Sequence, residues 1–235
     1  MLLLEDKLTK VIDTIDRLAL IPEDFGVNIE EDWCPVAEEL AWKIEKETGI
    51  PVEVYHGVSK VAIIIPGCSL VIKIPFKGQW RYEENYNEET EEYEGGEEWF
   101  EPFDCDDYCA LEADVYTDAE EAGYEQYLAE TKFYKAIKNT YVYIQERVYT
   151  LYSDKASTPT DDSRKKIKDR CGSYLGTPDW SACFIDFFGE EAFENFYHYC
   201  VYEGKVCIAD DLHSANIGFR VDGSPVILDY SGWAC

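Results

Sequence analysis

Three short apolar runs between residues 52 and 75 leave this chain little freedom in what it builds there. Val52-Glu-Val-Tyr-His-Gly57, Lys60-Val-Ala-Ile-Ile-Ile65 and Leu70-Val-Ile-Lys-Ile-Pro75 are rich in β-branched residues. The links Gly57-Val-Ser59 and Pro66-Gly67-Cys-Ser69 carry turn-forming residues and are too short for a crossover. Strands joined this way pair antiparallel, so a meander is expected. Lys73 stands out as a lone cation centred in an apolar strand. Val71 shares its parity while Ile72 and Ile74 line the other face. Both faces are therefore apolar, and the lysine is expected to be buried against a partner.

Around this meander the periodicity changes. Leu8, Val11, Ile12, Ile15, Leu18 and Ala19 recur at helical spacing between Leu4 and Leu20. A second helix is expected from Pro35 to Thr48, with proline in its first turn and Gly49 and Pro51 ending it. Residues 1–50 thus read as a helical extension. Residues 77–107 form a Glu-rich island with interleaved Tyr and Trp and little apolar period. That composition predicts a solvated loop or partly disordered insertion, the alternative being a segment that docks on a basic surface. Tyr108 to Ala122 is helical by pattern, with Tyr108, Leu111, Val115, Ala119 and Ala122 on one face and Gly123 closing it. Lys132–Ile137 and Thr140–Val148 read as two further strands. Ser153 to Gly176 is polar and holds the basic cluster Arg164-Lys-Lys-Ile-Lys-Asp-Arg170, read as a solvated helix face. Phe184 to Tyr202 is aromatic-rich with a helical period, and is expected as one long helix ending at Gly204.

The last apolar runs, Ile208-Ala-Asp-Asp-Leu-His-Ser-Ala-Asn-Ile-Gly-Phe219 and Pro225-Val-Ile-Leu-Asp-Tyr-Ser-Gly232, each deliver a carboxylate. Asp211 and Asn216 lie five apart, and Asp229 follows thirteen residues after Asn216. A hairpin from Ile217 to Phe219, through the Asp222-Gly223 turn, to Val226–Leu228 would return Asp229 to the side of Asn216. An amide oxygen beside a carboxylate is a hard donor pair suited to Mg²⁺, which leaves Asp211 to face a substrate.

This layout resembles the protein-kinase catalytic core. Asp211-Leu-His-Ser-Ala-Asn216 is similar to the catalytic loop H-R-D-L-x-x-x-N, in the wording of the aminoglycoside-phosphotransferase and other atypical branches. Asp229-Tyr-Ser-Gly232 stands in the place of D-F-G. The resemblance implies a protein-kinase-like α+β fold: a five-stranded antiparallel N-lobe with one αC-like helix (residues 51–148), and a reduced, mostly helical C-lobe (149–235). It implies that Lys73 holds the α- and β-phosphates and pairs with Glu112, preferred over Asp114, on the αC-like helix. Where kinases carry G-x-G-x-x-G this chain has Gly57 alone, in His56-Gly-Val-Ser-Lys60, so Ser59 and Lys60 would help backbone NH groups meet a phosphate. Gln145-Glu-Arg-Val148 resembles the hinge. Gln145 would then be the gatekeeper, and the main chain of Glu146 and Val148 would face adenine. Asp211 would orient or deprotonate the acceptor, His213 would touch the γ-phosphate, and Asn216 with Asp229 would hold Mg²⁺. Asp210 replaces the arginine that receives an activation-loop phosphate, consistent with the absence of an activation-loop counterpart after Gly232.

Composition narrows the partners. With 49 acidic against 21 basic residues the net charge is −28, which opposes binding to nucleic-acid phosphates and anionic membranes. Met1-Leu-Leu-Leu is followed at once by Glu5 and Asp6, unlike a signal peptide, and no apolar run has the length of a membrane span. The nine cysteines include no Cys-x-x-Cys pair and stand beside only three histidines, so reduced cytoplasmic thiols are expected rather than a zinc site. The function expected is ATP- and Mg²⁺-dependent phosphoryl transfer to a hydroxyl of a protein or small molecule. The alternatives are a catalytically weak pseudokinase that binds nucleotide as a scaffold, and an acidic protein whose Glu-rich island engages a basic partner.

Overall fold

The computed structural model of the chain describes residues 4–28, 35–87, 92–105, 107–149, 181–202 and 216–230. Contacts divide the chain into two units: residues 1–109 with 133–144, and residues 110–132 with 145–235.

In the first unit, α1 (Leu4–Arg17) and α2 (Pro35–Thr48) share one core with the expected meander, β2 (Glu53–His56), β3 (Lys60–Ile64) and β4 (Leu70–Pro75). The meander is antiparallel, with Val54 opposite Ile63 and Ile63 opposite Ile72. Two more strands, β7 (Thr131–Ile137) and β8 (Thr140–Glu146), complete a five-stranded sheet in the order β2-β3-β4-β8-β7. Val61, Ile63, Ile65, Ile72, Ile74, Phe76 and Val142 cluster with Leu8, Val11, Ile12, Ile15, Leu40 and Ile44 of the helices. Each such side chain contributes about 1.5–3 kcal/mol on burial. Strand alternation then puts Lys60 and Lys73 on the opposite face of the sheet. The first helix ends with Ala19 in the left-handed region at φ 48°, and Leu20 N–H donating to Ile15 O at 3.0 Å.

Residues 77–107, expected as a loop, instead form a long hairpin, β5 (Gly78–Asn87) and β6 (Glu92–Pro102). A short strand from the N-terminal region, β1 (Gly26–Asn28), pairs with β5 in parallel, giving the sheet order β1-β5-β6. Particular pairs fix the hairpin. Trp80 lies opposite Phe100 with ring centroids 5.4 Å apart, and the Tyr82 ring covers Gly96. Gly26 and Gly78 are register partners, and Phe100 leaves no room at either for a side chain. A Cβ on Gly26 would lie 2.8 Å from that ring, and one on Gly78 would lie 2.7 Å from it. Such pairs make up the sheet's stability, and the exposed glutamates hide their period-two signal.

In the second unit, α3 (Tyr108–Ala122, whose first two residues belong to the other unit) ends at Gly123 with φ +80°. Its buried positions are Tyr108, Cys109, Glu112, Tyr116 and Ala119, and Ala122 is exposed, so the inward face is rotated from the one expected. The single helix expected over Phe184–Tyr202 is two, α4 (Ser181–Phe188) and α5 (Glu190–Tyr202), broken at Gly189 with φ +90°. The break lets Phe184, Phe193 and Phe196 enter one aromatic core around Tyr127. Tyr127 stacks on Phe196 at 4.1 Å and donates its hydroxyl to Ala192 O at 3.0 Å. The final hairpin, β9 (Ile217–Phe219) and β10 (Pro225–Ile227), forms as expected. No helix among the described residues is long and apolar enough to cross a membrane.

Candidate functional site

Ile227 sits opposite Ile217 in the last hairpin, so the next pair in register is Asn216 with Leu228, and Leu228 N–H donates to Asn216 O at 2.8 Å. Asp229 follows directly. The turn that sets this register is closed by Asp222, whose Oδ1 accepts from Ser224 N at 2.9 Å and from Ser224 Oγ at 2.7 Å. These bonds hold the Asp222 carboxyl below the usual carboxylate range. Gly223, at φ +90°, supplies the left-handed step.

Both neighbours of Asp229 are anchored. The amide nitrogen of Gln145 donates to Leu228 O at 2.9 Å and to Thr131 Oγ1 at 2.8 Å. On the other side Tyr230 is 1% exposed, and its hydroxyl donates to Ala129 O at 2.7 Å and lies 2.9 Å from Thr131 Oγ1. Burial pushes the Tyr230 phenol well above its ordinary value, and the negative charge of Glu112 pushes the same way. Glu112 of α3 is itself 0% exposed.

The end of β8 and the residues after it are laced to the same hairpin. Glu146 N–H donates to Glu130 O at 2.8 Å, and its carboxylate takes a two-pronged ion pair from Arg220. Val148 fills the space over Gly218, while Tyr149 and Phe219 exchange N–H···O bonds of 3.0 Å. Thus Gln145, Glu146 and Val148 all meet the hairpin that carries Asn216.

The remaining expected residues belong to the first unit or fall outside the described residues. Lys73, 6% exposed, is buried in β4 of the first unit, as its apolar setting implied. Gly57 and Ser59 form a tight β2–β3 turn in which Gly57 N donates to Lys60 O at 3.0 Å and Ser59 O accepts from Phe76 N at 2.8 Å. No positive φ and no nearby atom requires glycine at 57. Asp211 and His213 fall outside the described residues. Among the described residues no three His, Cys, Asp or Glu side chains group as a metal site, so the hard donors to weigh are Asn216 and Asp229. Both are partly exposed, and one amide with one carboxylate suits Mg²⁺, which keeps several waters and takes its other ligands from substrate phosphates.

Sequence reasoning passed over Arg220, Tyr230 and Thr131. Arg220 carried a signal: it is the only Lys or Arg after Lys205 in a strongly acidic chain, and it directly follows a buried strand.

No protein-family model, curated protein or solved structure matches the chain.

Proposed function

We propose that the chain is a kinase-like phosphotransferase that moves the γ-phosphoryl group of ATP to a hydroxyl, with Mg²⁺ as its metal. The observation that carries this reading is the Asn216–Leu228 register, which sets Asp229 one residue beyond the backbone partner of Asn216, with the sequence spacing kinases use. The burial of Lys73, 6% exposed, and of Glu112, 0% exposed, each within its own unit, supports it further.

In this reading Asp211 accepts or orients the acceptor's hydroxyl proton, and His213 donates toward the γ-phosphate. Lys73 holds the α- and β-phosphates, with Glu112 in the αC-glutamate role. Bound Mg²⁺ would neutralise phosphate charge, and Asn216 and Asp229 would be its protein ligands. Ser59 and the Gly57 main chain belong to the phosphate-facing turn, and the main chain of Glu146 and Val148 to the adenine side.

Three substitutions separate the roles. Asp229→Asn is expected to abolish Mg²⁺-dependent stabilisation by ATP and turnover together. Asp211→Asn keeps nucleotide stabilisation and lowers turnover by about two to four orders of magnitude. Asn216→Ala falls between, with a raised Mg²⁺ requirement. A wild type stabilised by ATP without turnover, unaltered by Asp211→Asn, points to the pseudokinase. A wild type that binds no nucleotide overturns the reading.

A second reading is favoured by the ordered hairpin. Trp99 is 43% exposed on a strand that also exposes Glu97, Glu98 and Glu101, which suits a Lys/Arg-rich partner. Salt-sensitive binding of a Lys/Arg-rich peptide, weakened by Trp99→Ala, tests it. Equal binding by wild type and variant removes it.

A further inference from the structure

The Gln145 side chain points at the metal-ligand segment of its own unit. Both contacts of its amide nitrogen are strong by geometry, 2.9 Å to Leu228 O and 2.8 Å to Thr131 Oγ1, and the residue is 3% exposed. The carbonyl it holds belongs to the peptide bond whose other half is the Asp229 nitrogen. Thr131 also meets the Tyr230 hydroxyl at 2.9 Å, so the residues before and after Asp229 are tied to one hydroxyl and one amide of β7 and β8. A buried amide donates to a carbonyl only in a narrow arc, and losing the donor leaves that carbonyl unsatisfied. The backbone on both sides of Asp229 is therefore fixed before any ligand arrives.

We infer that Gln145 is a positioning residue for Asp229, governing the affinity of the Asn216/Asp229 pair for a divalent cation and not the choice of nucleotide base. The inference rests on the phosphotransferase reading of that pair, since it needs Asp229 to be a metal ligand. It differs from the gatekeeper role that the hinge resemblance implies for Gln145.

The network predicts which substitutions matter. Gln145→Met keeps length and burial but removes both donors. Gln145→Glu keeps shape and sets a carboxylate oxygen against the Leu228 carbonyl. Thr131→Val removes the shared hydroxyl without touching Gln145. Groups that orient a metal ligand from outside typically change metal affinity by about 10–100-fold.

The experiment measures Mn²⁺ binding to the full chain by electron paramagnetic resonance, with and without ATP, alongside hydrogen exchange of the metal-free protein over residues 226–230. Thermal melts establish that each variant folds. Gln145→Met and Gln145→Glu are expected to weaken Mn²⁺ binding about tenfold or more and speed exchange over 226–230, with the ratio of ATP to GTP affinity unchanged. Thr131→Val is expected to act in the same direction more weakly, and carries the test if both Gln145 variants fail to fold. An altered ATP/GTP ratio with unaltered Mn²⁺ affinity overturns the inference in favour of a gatekeeper. Asp229→Asn separates the two levels. If it abolishes Mn²⁺ binding while the Gln145 and Thr131 variants bind normally, this inference alone fails. If wild type and Asp229→Asn bind Mn²⁺ alike, the metal site itself is wrong and the inference falls with it.

Discussion

Arg220 grips Glu146 with two prongs, Nε to Oε1 at 2.8 Å and Nη2 to Oε2 at 2.9 Å. Its other contacts go to main-chain carbonyls, Gln126 O at 2.8 Å and Leu128 O at 3.0 Å. One side chain thus joins the end of β8, the turn after α3 and the β9–β10 hairpin. The pair is about three-quarters buried, with side-chain exposures of 23% and 28%, so it lies between a screened surface pair and a fully buried one. Arg220→Met is expected to cost about 2–3 kcal/mol, since it strands the Glu146 carboxylate and two carbonyls. Arg220→Lys recovers only part, because an ammonium lacks the planar fork. Urea unfolding at matched pH reads both, and a loss below about 0.5 kcal/mol for Met would show that the grip contributes little.

The acidic hairpin is packed at its base and solvated along its length. Phe100→Ala is expected to cost about 2–4 kcal/mol by uncovering Gly26, Gly78 and Trp80. Glu97→Gln and Glu98→Gln, both exposed, are expected to change stability by less than about 0.5 kcal/mol. Equal effects from the two kinds of change would mean that the base is not packed as described.

Ala19 sits in the left-handed region that terminates α1, at φ 48°. Glycine adopts that conformation without the Cβ clash, so Ala19→Gly is expected to stabilise the chain by about 1 kcal/mol. A lower melting temperature for this variant would contradict the assigned helix end.

The Asp222 turn has a pH signature. Its carboxyl is held below the usual range by the Ser224 N–H and hydroxyl bonds, so the folded value lies under the unfolded one. That contribution is fully present above the unfolded value and is lost as pH falls through the folded value. Asp222 is exposed, so after solvent screening the effect is below about 1 kcal/mol. Asp222→Asn keeps an acceptor oxygen, and its melting temperature is expected to converge on that of wild type as the pH enters the acid range. A difference that does not vary with pH would place the stabilisation elsewhere.

What the sequence disclosed depended on how local the cause was. The second helix runs from Pro35 to Thr48 and α3 from Tyr108 to Ala122, because proline, glycine and the apolar period mark those ends within a few residues. The β2–β4 meander and the last hairpin were legible for the same reason. The Glu-rich hairpin was not. Its decisive contacts pair Gly26 with Gly78 and Trp80 with Phe100, and neither pair has a signature within a short window. At the site, the residues of the motif could be named, while the ties that hold it could not. Thr131 meets Tyr230 across 99 residues, and Gln145 meets Leu228 across 83.

The first unit is interrupted in sequence: it takes residues 1–109, gives up 110–132, and resumes for 133–144. On a ribosome adding about 5–20 residues per second, α1, α2 and β2–β4 are therefore made some seconds before β8 and its Val142 emerge to complete their core. For that interval β4 presents an unpaired edge, with Ile72 and Ile74 short of one wall of their packing. The nascent protein is thus exposed to misassociation during synthesis in a way the finished protein is not. Slowing translation before codon 133 should lengthen that window and lower the soluble yield without altering a single residue.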